Sequence, residues 1–327
     1  FWFNSKCSRA QTANKNKMTI LFASPDWKEF KAPLQKAFLK FGIKHNLVNY
    51  ENDYEQEAVE FIIFSPDSIL TDFSVFKNLR SVLSLWAGVD GILENKSLKK
   101  PLIRLIDPGM KQRMIEWCLT HVLRHHLSID KYVNRDNKKW HLDIKPPLAQ
   151  DRRVGILGLG ELGNAVGNAL VNIGFNVSGW STSPKPNRMY NQHFGSDGFK
   201  EILSSSEILI LLLPLTTETE FIINENSLSF VRDEAIILNA GRGKLINDSH
   251  LINALRNGKI SHATLDVFVQ EPLPLNHPYW SHKNVTVSPH IAATTQPDTA
   301  ANTIASNIKR ILGGEKPIGL VDAQKLY

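Results

Sequence analysis

Residues 153 to 163 read RVGILGLGELG, an apolar run that opens directly into three glycines spaced G-x-G-x-x-G, at Gly158, Gly160 and Gly163. The run before them is strand-like, and residues 161 to 173 are helix-compatible. A first glycine in this setting permits a tight turn, a second lets the backbone approach a pyrophosphate, and a third lets helix and strand pack closely. The helix start then offers unpaired N–H groups to an anion. The stretch predicts a dinucleotide-binding strand–turn–helix, with a purely structural glycine turn as the alternative.

Outward from it, NVSGW, ILILLLP, AIILN, HATLDVF and VTVSPH are further apolar runs, separated by helix-compatible segments such as 248 to 257. Continuously apolar strands joined by helices predict a parallel sheet buried on both faces. From Met18 to about residue 107, TILFAS, EFIIF, SVLSLWAG and PLIRLID alternate with helical runs such as 27 to 41, predicting a smaller α/β unit. A helical pattern without internal proline or glycine extends from Gly109 to Trp140. A final helix, about 298 to 312, is too short for a third domain and is expected to return to the first.

The dinucleotide is read from the end of the next strand, where an NAD enzyme places an acid about 20 residues on to hold the ribose hydroxyls. Here the segment is VSGWSTSPKPNR, which contains no carboxylate. Ser181, Thr182 and Ser183 offer hydroxyls, and Lys185 and Arg188 offer positive charge, which suits a 2′-phosphate. NADP(H) is therefore preferred, with NAD(H) possible.

Three polar groups follow the ends of later strands: Arg242 in ILNAGRG, Glu271 in LDVFVQEPLP and His290 in TVSPHIAA. Ligands of open α/β sheets bind outside the carboxyl ends of the strands, so all three are candidates for one site. An arginine fork holds a carboxylate by two parallel hydrogen bonds, an imidazole exchanges a proton near neutral pH, and a carboxylate behind it supports the charged form. Taken singly, each has an ordinary structural explanation; together, behind a dinucleotide turn, they predict a catalytic set.

NAGRG, DVFVQEPLP and SPHIAA, in that order behind GLGELG, resemble the D-isomer-specific 2-hydroxyacid dehydrogenases. LWAGVDG, RLIDPGMKQRMIEW, GWSTS and GEKPIGLVD resemble its glyoxylate/hydroxypyruvate reductase A group, and the match runs from Met18 onward. The resemblance implies two doubly wound parallel-sheet α/β domains, one Rossmann-like and one flavodoxin-like, with the active site in the interdomain cleft. The substrate domain would comprise 18–112 with 294–327, and the cofactor domain 113–293.

The resemblance further implies that Arg242 binds the substrate carboxylate and keto oxygen, that His290 is the general acid, and that Glu271 is its partner. Trp86, Ala87, Gly88 and Val89 would present backbone N–H groups to the same carboxylate. The cofactor would meet Gly158, Gly160, Glu161, Leu162, Gly163, Trp180, Ser181, Thr182, Ser183, Lys185, Leu213, Pro214, Asn239, Ala240 and His290, with Asp266 at the nicotinamide amide. Reductases of this group often carry arginines in the segment after the second strand, whereas Thr182 and Pro184 stand at those positions here.

The expected reaction is reduction of a small 2-oxo acid by NADPH in a cytoplasmic homodimer. The alternatives are an NAD-dependent 2-hydroxyacid dehydrogenase of other specificity and a dinucleotide-sensing, corepressor-like interaction protein.

Composition sets outer bounds. The chain has 327 residues, 42% hydrophobic and 21% charged, which is enough apolar content for two cores. Its formal charge of +6 owes much to Lys6, Arg9, Lys15 and Lys17 in the acid-free first 17 residues, read as an extension outside the fold. The other 34 basic residues face 32 acidic ones. A nearly neutral body argues against a nucleic-acid or membrane surface. Cys7 and Cys118 form no disulfide framework, and Cys118 lies in an apolar helical pattern. The longest apolar stretch, ILILLLPL at 208 to 215, falls short of the ~20 residues a membrane helix needs. His121 and His125 have the i, i+4 spacing of a metal pair without an evident third ligand, so no metal is expected. Trp140, in KKWHLD, is expected at a subunit contact.

Overall fold

The computed structural model describes residues 18–133, 145–186 and 189–322. The extension 1–17, Arg188 and Trp140 with its KKWHLD stretch lie outside them. The chain divides into two compact units, Phe1–Asp107 with Thr295–Tyr327, and Pro108–Thr294.

The first unit opens with β1 (Thr19–Ala23), a helix α1 (Trp27–Phe41), β2 (Asn46–Asn49), β3 (Val59–Phe64), β4 (Ser81–Ser84), a single turn α2 (Asp90–Leu93) and β5 (Leu102–Ile103). Every pairing is parallel, in the order β2-β1-β3-β4-β5. This is the flavodoxin-like order, which reverses between β1 and β3. Helix α1 buries Phe30, Leu34, Ala37 and Phe38, one face at i, i+4, i+7 and i+8. It stops at Gly42, whose φ of 71° supplies the left-handed cap that returns N–H groups to the last turn.

The second unit begins with α3 (Pro108–His126) and the short α4 (Asp130–Val133). Because α3 buries Met114, Trp117 and Cys118 in the core of this unit, the first junction falls at 107/108, ahead of the expected 112. The helix is also shorter than its apolar pattern predicts. It breaks at Ser128, which takes φ 55° without any proline or glycine to announce it.

Seven strands follow with their helices: β6 (Arg153–Leu157), α5 (Glu161–Ile173), β7 (Asn176–Ser181), β8 (Asn191–Phe194), α6 (Gly195–Ser205), β9 (Ile208–Leu211), α7 (Glu225–Phe230), β10 (Ala235–Asn239), α8 (Asp248–Arg256), β11 (Ile260–Leu265) and β12 (Val285–Val287). The last helix, α9 (Pro297–Leu312), packs on α1 of the first unit and buries Ala300, Ala301, Ile304, Ala305 and Ile308.

All pairings in the larger sheet are parallel, in the order β12-β11-β10-β9-β6-β7-β8. That is the doubly wound Rossmann order with one added strand, and it reverses between β6 and β9. Alternate residues feed the two faces: Ile156, Ile208 and Ile210 pack towards α3 and α5, and Leu157, Leu209 and Leu211 towards the opposite core. Both faces are therefore apolar, and the strand ends are left for chemistry. Among the described residues no helix is long and apolar enough to cross a membrane.

One side of α3 carries a histidine cluster. The His121 ring packs at a tilt against Trp117 at 4.5 Å, and the His125 ring against His262 at 4.8 Å. The Nε2 atoms of His125 and His262 meet the hydroxyls of Thr264 and Thr286, each at 2.9 Å. The i, i+4 pair is thus engaged with ring faces and strand hydroxyls, and its third neighbour, His262, comes from β11.

Burial first, with neighbouring Arg124 and the other imidazoles adding to it, holds His125 down to about 3. Burial, with Arg124 the next largest lowering influence, holds His121 and His262 down to about 4. These groups are neutral in the fold, and the unfolded chain binds protons below its ordinary 6.5. Their stabilising contribution is therefore complete above about pH 6.5 and is lost as pH falls towards 4. The thermal midpoint is expected to drop by about 5 °C or more between about pH 7 and pH 5. His125→Leu should flatten that slope; a midpoint indifferent to pH in this window would contradict the account.

Candidate functional site

The end of β6 forms the phosphate turn. Gly158 has φ 105°, and a Cβ there would lie 2.6 Å from the Leu212 carbonyl oxygen, so the turn requires glycine. A Cβ on Gly163 would collide with the Gly158 carbonyl, which explains the close seating of α5 on the turn. Gly160, by contrast, has open space around its Cβ direction, and as N-cap of α5 it brings no side-chain hydrogen bond to the helix start. An open, uncapped helix N-terminus at the topological switch point fits a pyrophosphate. Leu162 sits in the first turn of α5, where Glu161 pairs with Lys111 of α3.

Across the switch point, Leu213 and Pro214 follow β9. Thr219, buried below them, donates to the Pro214 carbonyl at 2.7 Å and accepts from the Thr216 N–H at 2.8 Å. This threonine shapes the wall beside the glycine turn.

Three later strand ends carry the polar set. After β10, Asn239 is 1% exposed; its amide donates to the Arg242 carbonyl at 2.9 Å and accepts from the Gly241 N–H at 3.1 Å. Arg242 is half-buried and donates to the Gly241 carbonyl at 2.7 Å. A Cβ on Gly243 would collide with the backbone of Phe268, so the arginine turn lies directly against the loop that carries Glu271.

After β11, Glu271 accepts the Phe268 N–H at 2.9 Å on one oxygen and meets Nδ1 of His290 at 2.7 Å on the other. Partial burial alone would raise the Glu271 carboxyl. The hydrogen bonds from His290 and Phe268, with the nearby charges of His290 and Arg242, outweigh it and hold the group below the usual carboxylate range. An ionised Glu271 fixes the Nδ1–H tautomer, leaving Nε2 for proton exchange.

His290 itself has φ 54°, a left-handed conformation that costs a non-glycine residue about 1–2 kcal/mol. Asp266 sustains it. Its carbonyl accepts the His290 N–H at 2.9 Å, and its buried carboxylate takes the Ser288 hydroxyl at 2.5 Å and the N–H groups of Ile291 and Ala292 at 3.0 and 2.8 Å. Hydrogen bonds to a charged acceptor contribute about 1.5–3 kcal/mol each, more than enough to offset the strain. The small apolar residues after the histidine belong to this clamp: Ala292 is 2% exposed and closes the core beneath it. Trp117 of α3 donates to Ser288 from the other side at 3.2 Å.

Residues 117–292 match the family described as D-isomer specific 2-hydroxyacid dehydrogenase, NAD binding domain. The chain belongs to the D-isomer-specific 2-hydroxyacid dehydrogenase family. It is similar to the glyoxylate/hydroxypyruvate reductase A of Serratia proteamaculans, 40% identical over 252 residues that cover 75% of this chain and 80% of the relative. The corresponding protein of Yersinia enterocolitica is 37% identical over 256 residues, 76% and 82% of the two chains. Among solved structures, a D-isomer specific 2-hydroxyacid dehydrogenase of Xanthobacter autotrophicus in complex with NADPH and MES has a TM-score of 0.89 at 35% identity, covering 95% of this chain and 100% of that one. The NADPH-dependent glyoxylate/hydroxypyruvate reductase of Sinorhizobium meliloti, in complex with NADP and sulfate, has a TM-score of 0.86 at 28% identity with the same coverage.

Within this 2-hydroxyacid dehydrogenase several of the expected cofactor residues also make internal contacts that support the fold. The Trp180 indole is 5% exposed, packs at a tilt against Phe199 at 5.0 Å and donates to the Gly195 carbonyl at 2.9 Å; its backbone carbonyl receives the Gly158 N–H. Ser181 is buried and turns its hydroxyl onto the Ser183 carbonyl at 2.8 Å. Asn239 and Asp266 hold the Arg242 and His290 loops as described, and Ala240 is 8% exposed behind them. Thr182, Ser183 and Pro184 are exposed, and Lys185 is half-buried.

In the first unit, Trp86, Ala87, Gly88 and Val89 follow β4. Trp86 is 41% exposed, its N–H held by the Ser84 hydroxyl at 3.0 Å and its carbonyl by the Leu105 N–H at 3.1 Å. Val89 is buried and opens α2. Position at a strand end is legible in a sequence; the direction of each side chain there is not, and the hydrogen bonds by which Asn239 and Asp266 hold the Arg242 and His290 loops have no mark in it.

Proposed function

We propose that this enzyme reduces small 2-oxo acids, glyoxylate and hydroxypyruvate, to D-2-hydroxy acids with NADPH. The observation that carries the reading is the Glu271–His290 pair beside Arg242: an imidazole whose Nδ1 is held at 2.7 Å by an ionised carboxylate, with a guanidinium at the neighbouring strand end. Gly158 to Gly163 and the Ser181–Lys185 segment would hold NADPH, which would supply a hydride for the substrate's carbonyl carbon. His290 donates the Nε2 proton to the carbonyl oxygen as it becomes a hydroxyl, and Glu271 stabilises the imidazolium that precedes this transfer. Arg242 binds the substrate carboxylate and concentrates positive charge where the oxyanion develops, a kind of preorganised interaction that contributes several kcal/mol. Two-point anchoring also selects the carbonyl face presented to the hydride.

A homodimer is the proposed working state. The exposed apolar residues Leu127, Ile129 and Val133 support it, since such exposure near one helix end is characteristic of an interface.

The direct test is the initial rate of NADPH oxidation with glyoxylate, hydroxypyruvate, pyruvate and bulkier 2-oxo acids, repeated with NADH. Turnover with the two small acids and a marked preference for NADPH are expected. Equal rates with NADH would overturn the cofactor assignment, and no oxidation of either nucleotide with any oxo acid would overturn the reaction.

A further inference from the structure

The segment after β7 carries one described cation, Lys185, in a loop whose Thr182, Ser183 and Pro184 face solvent. Its backbone is held in an uncommon way. The Lys185 N–H donates to Oε1 of Gln192 at 3.0 Å, and Nε2 of the same amide donates to the Lys185 carbonyl at 2.7 Å. A primary amide can do this because its donor and acceptor sit side by side. Gln192 thereby stands in for a neighbouring strand across a loop that has none.

The glutamine is itself fixed. It lies on the edge strand β8, in parallel register opposite Gly179. At the head of β8, the Tyr190 ring occupies the space over Gly167 of α5 and Gly179 of β7, where an added Cβ would approach it to 2.5 and 2.8 Å. At the other end of the loop, the Ser181 hydroxyl holds the Ser183 carbonyl. The loop is thus pinned on both flanks while its outer hydroxyls and the lysine side chain are left for a ligand.

We propose that Gln192 is a specificity-determining positioning residue, which selects NADPH over NADH by fixing the Lys185 backbone for the 2′-phosphate without touching the cofactor. A lysine is a point charge on a flexible stem, so the ordering of its backbone decides how much of its attraction survives as affinity. A ligand without the 2′-phosphate gains nothing from this ordering. The proposal rests on the NADPH reading above.

The test uses titration calorimetry of the full-length protein with adenosine 2′,5′-bisphosphate and with adenosine 5′-monophosphate. The wild type should bind the bisphosphate more tightly. Gln192→Met keeps the apolar stem but has no amide. It should weaken the bisphosphate about tenfold, the effect of losing an ordered hydrogen-bond pair, while the monophosphate stays within about twofold. KM for NADPH should rise similarly with kcat at saturation unchanged. In a Lys185→Met background the Gln192 substitution should add nothing, because its effect passes through the lysine. Gln192→Asn, one methylene too short to reach both backbone atoms, should behave like Gln192→Met and serves if that variant melts early.

Equal weakening of both probes, no weakening of the bisphosphate, or additivity with Lys185→Met would overturn the role of Gln192. A wild type that binds the two probes alike would overturn the NADPH reading and this proposal together. A discriminating wild type with an equally discriminating Gln192→Met would overturn only the latter.

Discussion

His290→Ala is expected to lower kcat by about 10²- to 10⁴-fold, the usual worth of a positioned general acid, while NADPH binds within about twofold of wild type. Steady-state rates with glyoxylate and a fluorescence titration with NADPH separate the two effects. Full turnover at saturating substrate would remove His290 from the reaction. Glu271→Gln should also reduce kcat, by about tenfold or more, since it removes the charge behind the imidazolium while preserving the shape of the side chain. Because Glu271 is held below the ordinary carboxylate range, it keeps its charge to lower pH than an unperturbed glutamate. Activity lost on protonating this group should therefore appear at lower pH than for an ordinary glutamate.

Arg242→Lys is expected to cost about 10²- to 10³-fold in kcat/KM, although the charge is retained. Lysine cannot form the two parallel hydrogen bonds that fix a carboxylate, and in a site built for an oxyanion the misplacement of one donor alone has effects of that size. Both KM for the oxo acid and kcat should suffer, with NADPH binding unchanged. Arg242→Gln, lacking charge as well, should be worse. Kinetic constants of Arg242→Lys within twofold of wild type would mean that the guanidinium is structural.

How legible this protein is in its sequence differs from element to element. Helices α1 and α5 begin and end where their apolar spacing and flanking glycines place them, and β6, β9 and β10 are continuous apolar runs because both faces of their sheet are covered. The edge strands β2 and β8, NLVN and NQHF, escaped notice for the complementary reason: an edge is largely exposed and has no apolar run to display. β8 is nevertheless the strand that carries Gln192.

The break in α3 at Ser128 has no compositional marker, so its pattern reads on as helix. At the site, Arg242, Glu271 and His290 were legible because their chemistry is complementary and each follows a strand. Glu271 and His290 meet, and Arg242 lies near enough for its charge to act on the carboxylate. The supporting roles of Thr219, Ser288 and Trp117 were hidden, since they depend on contacts between residues far apart in the chain. His262 joined His125 for the same reason, through the parallel sheet rather than through any local motif.

The contact between Gly243 and the backbone of Phe268 leaves no slack between two adjacent loops. The Arg242 turn and the Glu271 loop are therefore welded into one frame, and neither can be retuned alone by drift in its own segment. Natural variants that accept larger oxo acids should keep this frame untouched and carry their changes elsewhere, whereas a single methyl group at position 243 should disable every substrate alike.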